Sequence, residues 1–391
     1  MTPCHRGIQR REFLHRAGSL SLTAAAAGHG WLPNLALADQ IKIPDAADVG
    51  IARGSNMAEA VKLAVELSGG LDFIKPDQTV LIKPNVTGRA NNPTTTHPEV
   101  LYGVIKVVAD RGPKRILVSD RCFSAKFTVD APKTIDVMKG VGHLEAVDQA
   151  ISDFKAPVVA VGLEDAAPEF EILGKPRDTN HWRRVNHPLA KHWPNGFEQA
   201  ELLFSVDHVI NVPVIKTHFQ AWFTMAMKAF VGMSHHRTRR EFHSTYQGTG
   251  SLMDQKRTKS SRRRGTRTFQ DEVEEAAPFV NRLAELNLGL TPSLNILDGT
   301  SSFVFGGPSH GDTADPKVIV AAKDRIAADA TGIAVLKRFG TEDRLQKHSI
   351  WENPFIKHGI KIGLGVDTPE KINLKHKNMD DDIDKIREML V

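Results

Sequence analysis

Four apolar runs in this chain stop on a charged residue. Residues 79–82 run into Lys83, 115–119 into Asp120, 208–215 into Lys216 and 293–297 into Asp298. Each run is short and rich in Val, Ile or Leu, the pattern of a strand buried on both faces. In an open, mostly parallel sheet such strand ends line one edge, and ligands bind along that edge. Two lysines and two aspartates gathered there exceed what the fold requires, so they mark a candidate site.

The rest of the pattern supports that sheet. A short strand over 49–52 precedes an amphipathic helix over 56–67 that closes on Gly69-Gly70. A helix over 98–111 follows the strand at 79–82, with Pro98 near its start and Gly112 at its end. Strand–helix–strand alternation of this kind predicts an α/β fold, a mostly parallel sheet with helices on both faces. The stretch from about 130 to 196 carries Pro157, Pro168, Pro176, Pro188 and Pro194 and reads as an irregular insertion, with 157–161 its one clear strand. Regular pattern resumes at 200–203, and a helix is expected over 221–233. Residues 235–268 hold ten Arg or Lys against Glu241 and Asp254 and read as a long basic loop. Helices over 271–288 and 326–339 and a strand over 317–322 follow. Residues 341–391 read as a small C-terminal module with a strand near 361–366.

Residues 1–38 stand apart. Arg10-Arg11-Glu12-Phe13-Leu14 is followed by a small-residue, weakly apolar stretch over 17–27 and by Ala36-Leu37-Ala38. That order is a secretory leader, and the arginine pair points to the twin-arginine route. The expected organisation is a signal peptide over 1–38 and one large α/β domain over 39–391. The twin-arginine translocase is the expected partner in export, and the location periplasmic or secreted. No run approaches the roughly 20 apolar residues of a stable membrane span.

The leader holds four arginines and one glutamate, three of the five formal positive charges, so +2 remains beyond it. Whole-protein basicity therefore does not argue for nucleic acid. Cys4 lies in the leader and leaves Cys122 as the single cysteine beyond it. An intramolecular disulfide and a cluster held by several cysteines of this chain are both excluded there.

Among candidate residues, Asn211-Val212-Pro213-Val214-Ile215-Lys216-Thr217-His218 is the most specific segment, a strand that ends in a cation, a hydroxyl and an imidazole. Lys228 sits in an almost wholly apolar helix, where an ammonium is costly to desolvate. It either faces a ligand, snorkels to water or pairs with a structural carboxylate. Lys83-Pro84-Asn85 ends its strand sharply because proline cannot donate in a central sheet. Gly306-Gly307 could let backbone N–H groups encircle an anion, or could serve a simple turn. It is neither a Walker loop nor a dinucleotide fingerprint. His235, His236 and His243 lack the spacing of a chelating pair, and no metal ligands are assigned. Cys122 beside Asp120 has no identifiable activating partner and reads as inert.

Lys83-Pro84-Asn85, Asn211-x-Pro213-x-x-Lys216-Thr217-His218, Lys228 with Gly232, Asp298-Gly299, Gly306-Gly307-Pro308 and Asp329 occur in that order. Together they resemble the domain-of-unknown-function 362 family over most of 49–366. The resemblance implies an α/β fold and no established reaction. Some members carry cysteine-rich ferredoxin-like modules, and this sequence lacks those cysteines.

The combined expectation is a strand-end pocket for a small phosphate- or carboxylate-bearing anion. Lys83, Asn85, Asn211, Lys228, Gly306 and Gly307 would bind it. Lys216, His218, Asp298 and Asp120 are the acid–base candidates of an enzyme whose reaction and cofactor are not legible. The alternatives are a ligand-binding or assembly protein without turnover, and a redox protein with a non-cysteine metal or organic cofactor.

Overall fold

The computed structural model describes residues 43–88, 90–122, 133–163, 182–243 and 268–391. The chain opens with β1 (Ala47–Ala52), α1 (Met57–Leu67), β2 (Thr79–Pro84), α2 (Pro98–Ala109) and β3 (Arg115–Asp120). Next come α3 (Thr134–Gly140), α4 (His143–Phe154), β4 (Val158–Gly162), β5 (Trp182–Val185), β6 (Phe197–Ala200) and β7 (His208–Val212). The central stretch holds β8 (Lys216–His218), β9 (Trp222–Thr224), α5 (Ala226–Ala229), α6 (His236–His243), α7 (Phe269–Glu285) and β10 (Leu294–Gly299). The chain ends through β11 (Ser302–Phe303), β12 (Thr313–Ala314), β13 (Val318–Ala322), α8 (Arg325–Arg338), α9 (Asp343–Gln346), α10 (Pro354–Lys361), β14 (Ile372–Lys377) and α11 (Ile383–Leu390).

Eight strands form one sheet in the order β14-β1-β13-β10-β7-β2-β3-β4. Only β13 runs antiparallel to its neighbours β1 and β10. The strands β10, β7, β2, β3 and β4 are parallel, so their C-terminal ends share one edge. Side chains alternate between two cores. Val318, Val320 and Ala322 of β13 pack with α7, α8 and α10, while Ile319 and Ala321 pack with α1 and α2 on the other face. A sheet covered on both faces needs near-continuous apolar strands, which is why the runs were so legible. The α/β fold with helices on both faces is thus the observed one.

Several local expectations are corrected. The run over 208–215 is not one strand. β7 ends at Val212 because Pro213 cannot donate to a ladder, and Lys216 opens a separate hairpin, β8–β9. The helix expected over 221–233 is instead β9, the four-residue α5 and a 3₁₀ turn over Phe230–Met233. Residues 200–203 lead from β6 into a 3₁₀ turn over Glu201–Phe204. Of the stretch over 130–196, residues 134–162 are largely regular structure, and residues 130–132 and 164–181 lie outside the described ones. Val137, Met138, Ala146, Val147 and Ala150 bury one face of α3 and α4, and β4 closes the sheet edge. The basic loop starts as α6, and residues 244–267 lie outside the described ones. The strand expected at 361–366 is absent. β14 forms later and pairs with β1 in the main sheet.

Candidate functional site

The shared edge of β2, β3 and β7 opens into a cavity of about 250 Å³. Six of the ten candidate residues line it, namely Lys83, Asn85, Asp120, Lys216, His218 and Lys228. The cavity is therefore built from the ends of separate strands and the segment after β7, as the switch-point rule requires.

Lys83 and Asp120 form its buried wall. Their side chains are almost wholly buried, with Nζ 3.0 Å from Oδ1. Burial lowers the Lys83 pKa, and Asp120 works against that. Asp120 Oδ2 accepts the Val86 N–H at 2.8 Å, which fixes the turn after Pro84. Gly232 backs directly onto this carboxylate. A Cβ there would fall 2.0 Å from Asp120 Oδ1, so no other residue allows the approach.

Lys216 is fully buried and donates from Nζ to the Thr94 carbonyl at 2.6 Å. Burial holds its pKa well below the ordinary lysine range. The Lys228 cation adds to that shift, and the Asp298 carboxylate opposes it. Lys228 differs. It is half-buried, lines the cavity and has no hydrogen-bond or ion-pair partner among the described residues. Burial, then Arg239 and Lys83, bring its pKa down to about 8.

So short a helix as α5 needs outside support to carry that lysine. Asp329, buried in α8, accepts the N–H groups of Ala226 at 2.6 Å and Met227 at 3.1 Å. Burial raises the Asp329 pKa to about 7, against the pull of those two bonds. Asn211 Nδ2 holds the Ala226 carbonyl at 3.2 Å, and Asn287 Nδ2 holds that of Met227 at 2.8 Å. Lys228 thus rests on a frame of buried amides and a carboxylate, not on a long helix.

His218 Nδ1 accepts two backbone N–H groups, from Gln220 and Ala221, both at 3.1 Å. That places the imidazole proton on Nε2 when the ring is neutral. Asn85 Nδ2 donates to the Thr94 carbonyl at 3.2 Å, so the Thr94 oxygen joins Asn85 and Lys216.

Four candidates lie elsewhere, for clear reasons. Asp298 is fully buried and saturated. Its Oδ2 accepts from Asn92 Nδ2 at 2.9 Å and the His97 N–H at 2.7 Å, and Oδ1 accepts the Thr300 N–H at 2.9 Å. It holds loops together and reaches the cavity only through its charge on Lys216. Asn211 binds α5 and Asn295, as a brace. Gly306 gives its N–H to Glu342 Oε1 at 3.0 Å. Gly307 has φ +48°, and a Cβ there would lie 2.0 Å from the Thr217 carbonyl. The Gly306 N–H is thus already committed, and Gly307 lets the loop lie against β8. Pro308, Ser309 and His310 of the same loop line the cavity instead.

Arg239 is a cavity residue that the sequence reading passed over as part of a basic loop. It is buried on α6, and its guanidinium donates to the carbonyls of Ser234 and Gly232 at 3.0 Å and of Arg121 at 3.1 Å. It lines the same space as Arg121 and three lysines, with Asp120 the one carboxylate in the lining. His235 Nδ1 lies 3.0 Å from Glu198 Oε2, and its ring packs tilted against His236, so these histidines serve the β6–α6 contact. Burial of Cys122 is complete.

The family model described as Domain of unknown function (DUF362) matches residues 80–334. The chain belongs to this family. The matched span contains every residue quoted above for the resemblance, from Lys83 to Asp329. A curated relative, the thylakoid-associated protein sll1697 of Synechocystis sp., is 25% identical over 281 residues, covering 71% of this chain and 68% of that one. A looser structural likeness links the DUF362 chain to the lactate racemase apoprotein of Thermoanaerobacterium thermosaccharolyticum. The TM-score is 0.32 at 13% identity, over 63% of this chain and 49% of that one.

Proposed function

We propose that this protein binds a small anion, phosphate- or carboxylate-bearing, in the strand-end cavity. The observation that carries the reading is the balance of basic and acidic side chains in the lining: Lys83, Arg121, Lys216, Lys228 and Arg239 against the single carboxylate of Asp120. Like charges gathered in a poorly solvated space cost free energy, and a bound anion offsets that cost. Lys228 supplies the ammonium that such a ligand would meet first. Mass spectrometry of protein purified natively should find a small phosphorylated or carboxylated molecule near one equivalent. Sulfate should also raise the melting temperature saturably, where chloride at equal ionic strength does not. An empty protein indifferent to sulfate would end this reading.

A catalytic role is a second reading, favoured by one observation. A lysine with a pKa of about 8 is poised to give and take a proton near neutral pH. With His218 alongside, the cavity has two proton carriers for a bound ligand. No cofactor follows from these residues, and the cationic wall would repel a metal ion.

We further propose export through the twin-arginine route, from Arg10-Arg11-Glu12-Phe13-Leu14 and the small-residue stretch after it, which lie outside the described residues. Among the described residues no helix is long and apolar enough to cross a membrane. Changing both Arg10 and Arg11 to Lys should trap the protein inside the cell, because the translocase reads that pair as an address. Cell fractionation checks this, and unchanged export of the double variant would rule the route out.

A further inference from the structure

Away from the cavity, three side chains from distant parts of the chain converge. His192 lies between β5 and β6, Glu285 ends α7, and His358 lies in α10. One donor atom from each falls within 4.8 Å of the other two. We propose that His192, Glu285 and His358 form a binding site for a divalent cation of the zinc class, with a fourth position open to water.

The argument starts from Glu285. Its side chain is fully buried, and it is the last residue of a 17-residue helix. A carboxylate there meets the negative end of the helix dipole and has lost its water, two costs that a cation removes. No lysine or arginine among the described residues forms an ion pair with it. The nearby Arg282 instead donates to the carbonyls of His192 at 3.3 Å and Glu241 at 3.0 Å. The partners of this buried carboxylate are thus two imidazoles and one backbone N–H, that of His192.

The donor set fits the ion. His192 Nδ1 and His358 Nε2 approach the same oxygen, Glu285 Oε1, at 2.6 and 3.1 Å. Zinc held at roughly 2.0–2.1 Å by nitrogen and oxygen donors spreads such atoms only slightly further apart. Two histidines and one carboxylate are a three-ligand zinc set that leaves a coordination position open. The outer contacts are also of the kind that orient metal ligands. Glu285 Oε2 accepts the His192 N–H at 2.9 Å, and the Asn281 side chain lies 3.4 Å from His192 Nε2. His192 is about one-third exposed, 32% by side chain, which gives an ion a way in. A cation here would clamp α7 to α10 and to the segment before β6. It does not depend on the anion reading, because the residues are disjoint from the cavity.

The test uses the full, untagged chain, stripped with a chelator and dialysed against zinc. Elemental analysis should find one zinc per chain, and cobalt substitution should give the visible absorption of a four-coordinate nitrogen–oxygen site. Zinc should raise the melting temperature reversibly on chelation. The double variant His192→Ala/His358→Ala should lose that equivalent, and Asn281→Ala should weaken it about tenfold or more. Should the double variant fail to fold, the chelator-reversible shift of the wild type and the Asn281→Ala titration still decide. Wild-type protein with no zinc and no metal-dependent shift would overturn the site and leave a triad that shares protons only. Zinc retained at full affinity in a folded double variant would overturn it too.

Discussion

Lys228→Met should cost about a hundredfold in sulfate affinity while leaving the fold intact. The methionine keeps the length and the apolar stem, and only the ammonium is lost. Because Lys228 has no carboxylate of its own, that charge is spent on whatever occupies the cavity, and an anion without it sits uncompensated in a poorly solvated place. A loss of a few kcal/mol corresponds to that hundredfold. Sulfate is a useful probe because it stays a dianion across the relevant pH range. Wild-type affinity should fall as pH rises through about 8, where Lys228 discharges, and the variant should fall less steeply there. Stability should move the other way. Between about 8 and 10.5 the folded protein binds fewer protons at this lysine than the unfolded chain does, so wild-type stability rises with pH across that window. Lys216 and Lys83 are shifted in the same direction, so the variant should keep a shallower rise. At neutral pH and without an anion, Lys228→Met should melt higher than the wild type, the usual exchange of function for stability. Equal affinities with equal pH profiles would remove Lys228 from the site.

The sheet could be read from the sequence because burial on both faces forces continuous apolar strands, and β2, β3 and β10 all end close to where their charges stand. The hairpin at Lys216 could not, since Pro213 breaks a run whose composition stays apolar through Ile215. Strand-end polarity also has two meanings that look alike in sequence. Lys83 and Asp120 face the cavity, whereas Asp298 and Asn211 spend their hydrogen bonds on loops and on α5. Arg239 was hidden in a basic run, where nothing local separates a buried guanidinium from solvated ones. His192, Glu285 and His358 are too far apart in sequence for spacing to join them.

Asp120→Ala should be the most destabilising change at the site, by about 3–5 kcal/mol. The carboxylate is the ion-pair partner of Lys83, 3.0 Å away, and both are almost fully buried. Removing it strands an ammonium that, among the described residues, keeps only the Pro84 carbonyl, at 3.0 Å, to accept from it. Burial already lowers the Lys83 pKa with Asp120 present, so without the carboxylate the lysine should be driven further toward its neutral form. Replacing both partners is expected to be much milder, because an apolar pair of similar volume has no charge left to desolvate. Lys83→Met/Asp120→Ala should therefore recover most of the stability lost in the single variant, as read by urea unfolding at an unchanged slope. Asp120 also accepts the Val86 N–H, and that bond is lost in both variants. The comparison between them thus isolates the ion pair from the turn. A deficit that persists undiminished in the double variant would assign the stabilisation to the Val86 contact and sink the ion-pair account of the cavity wall.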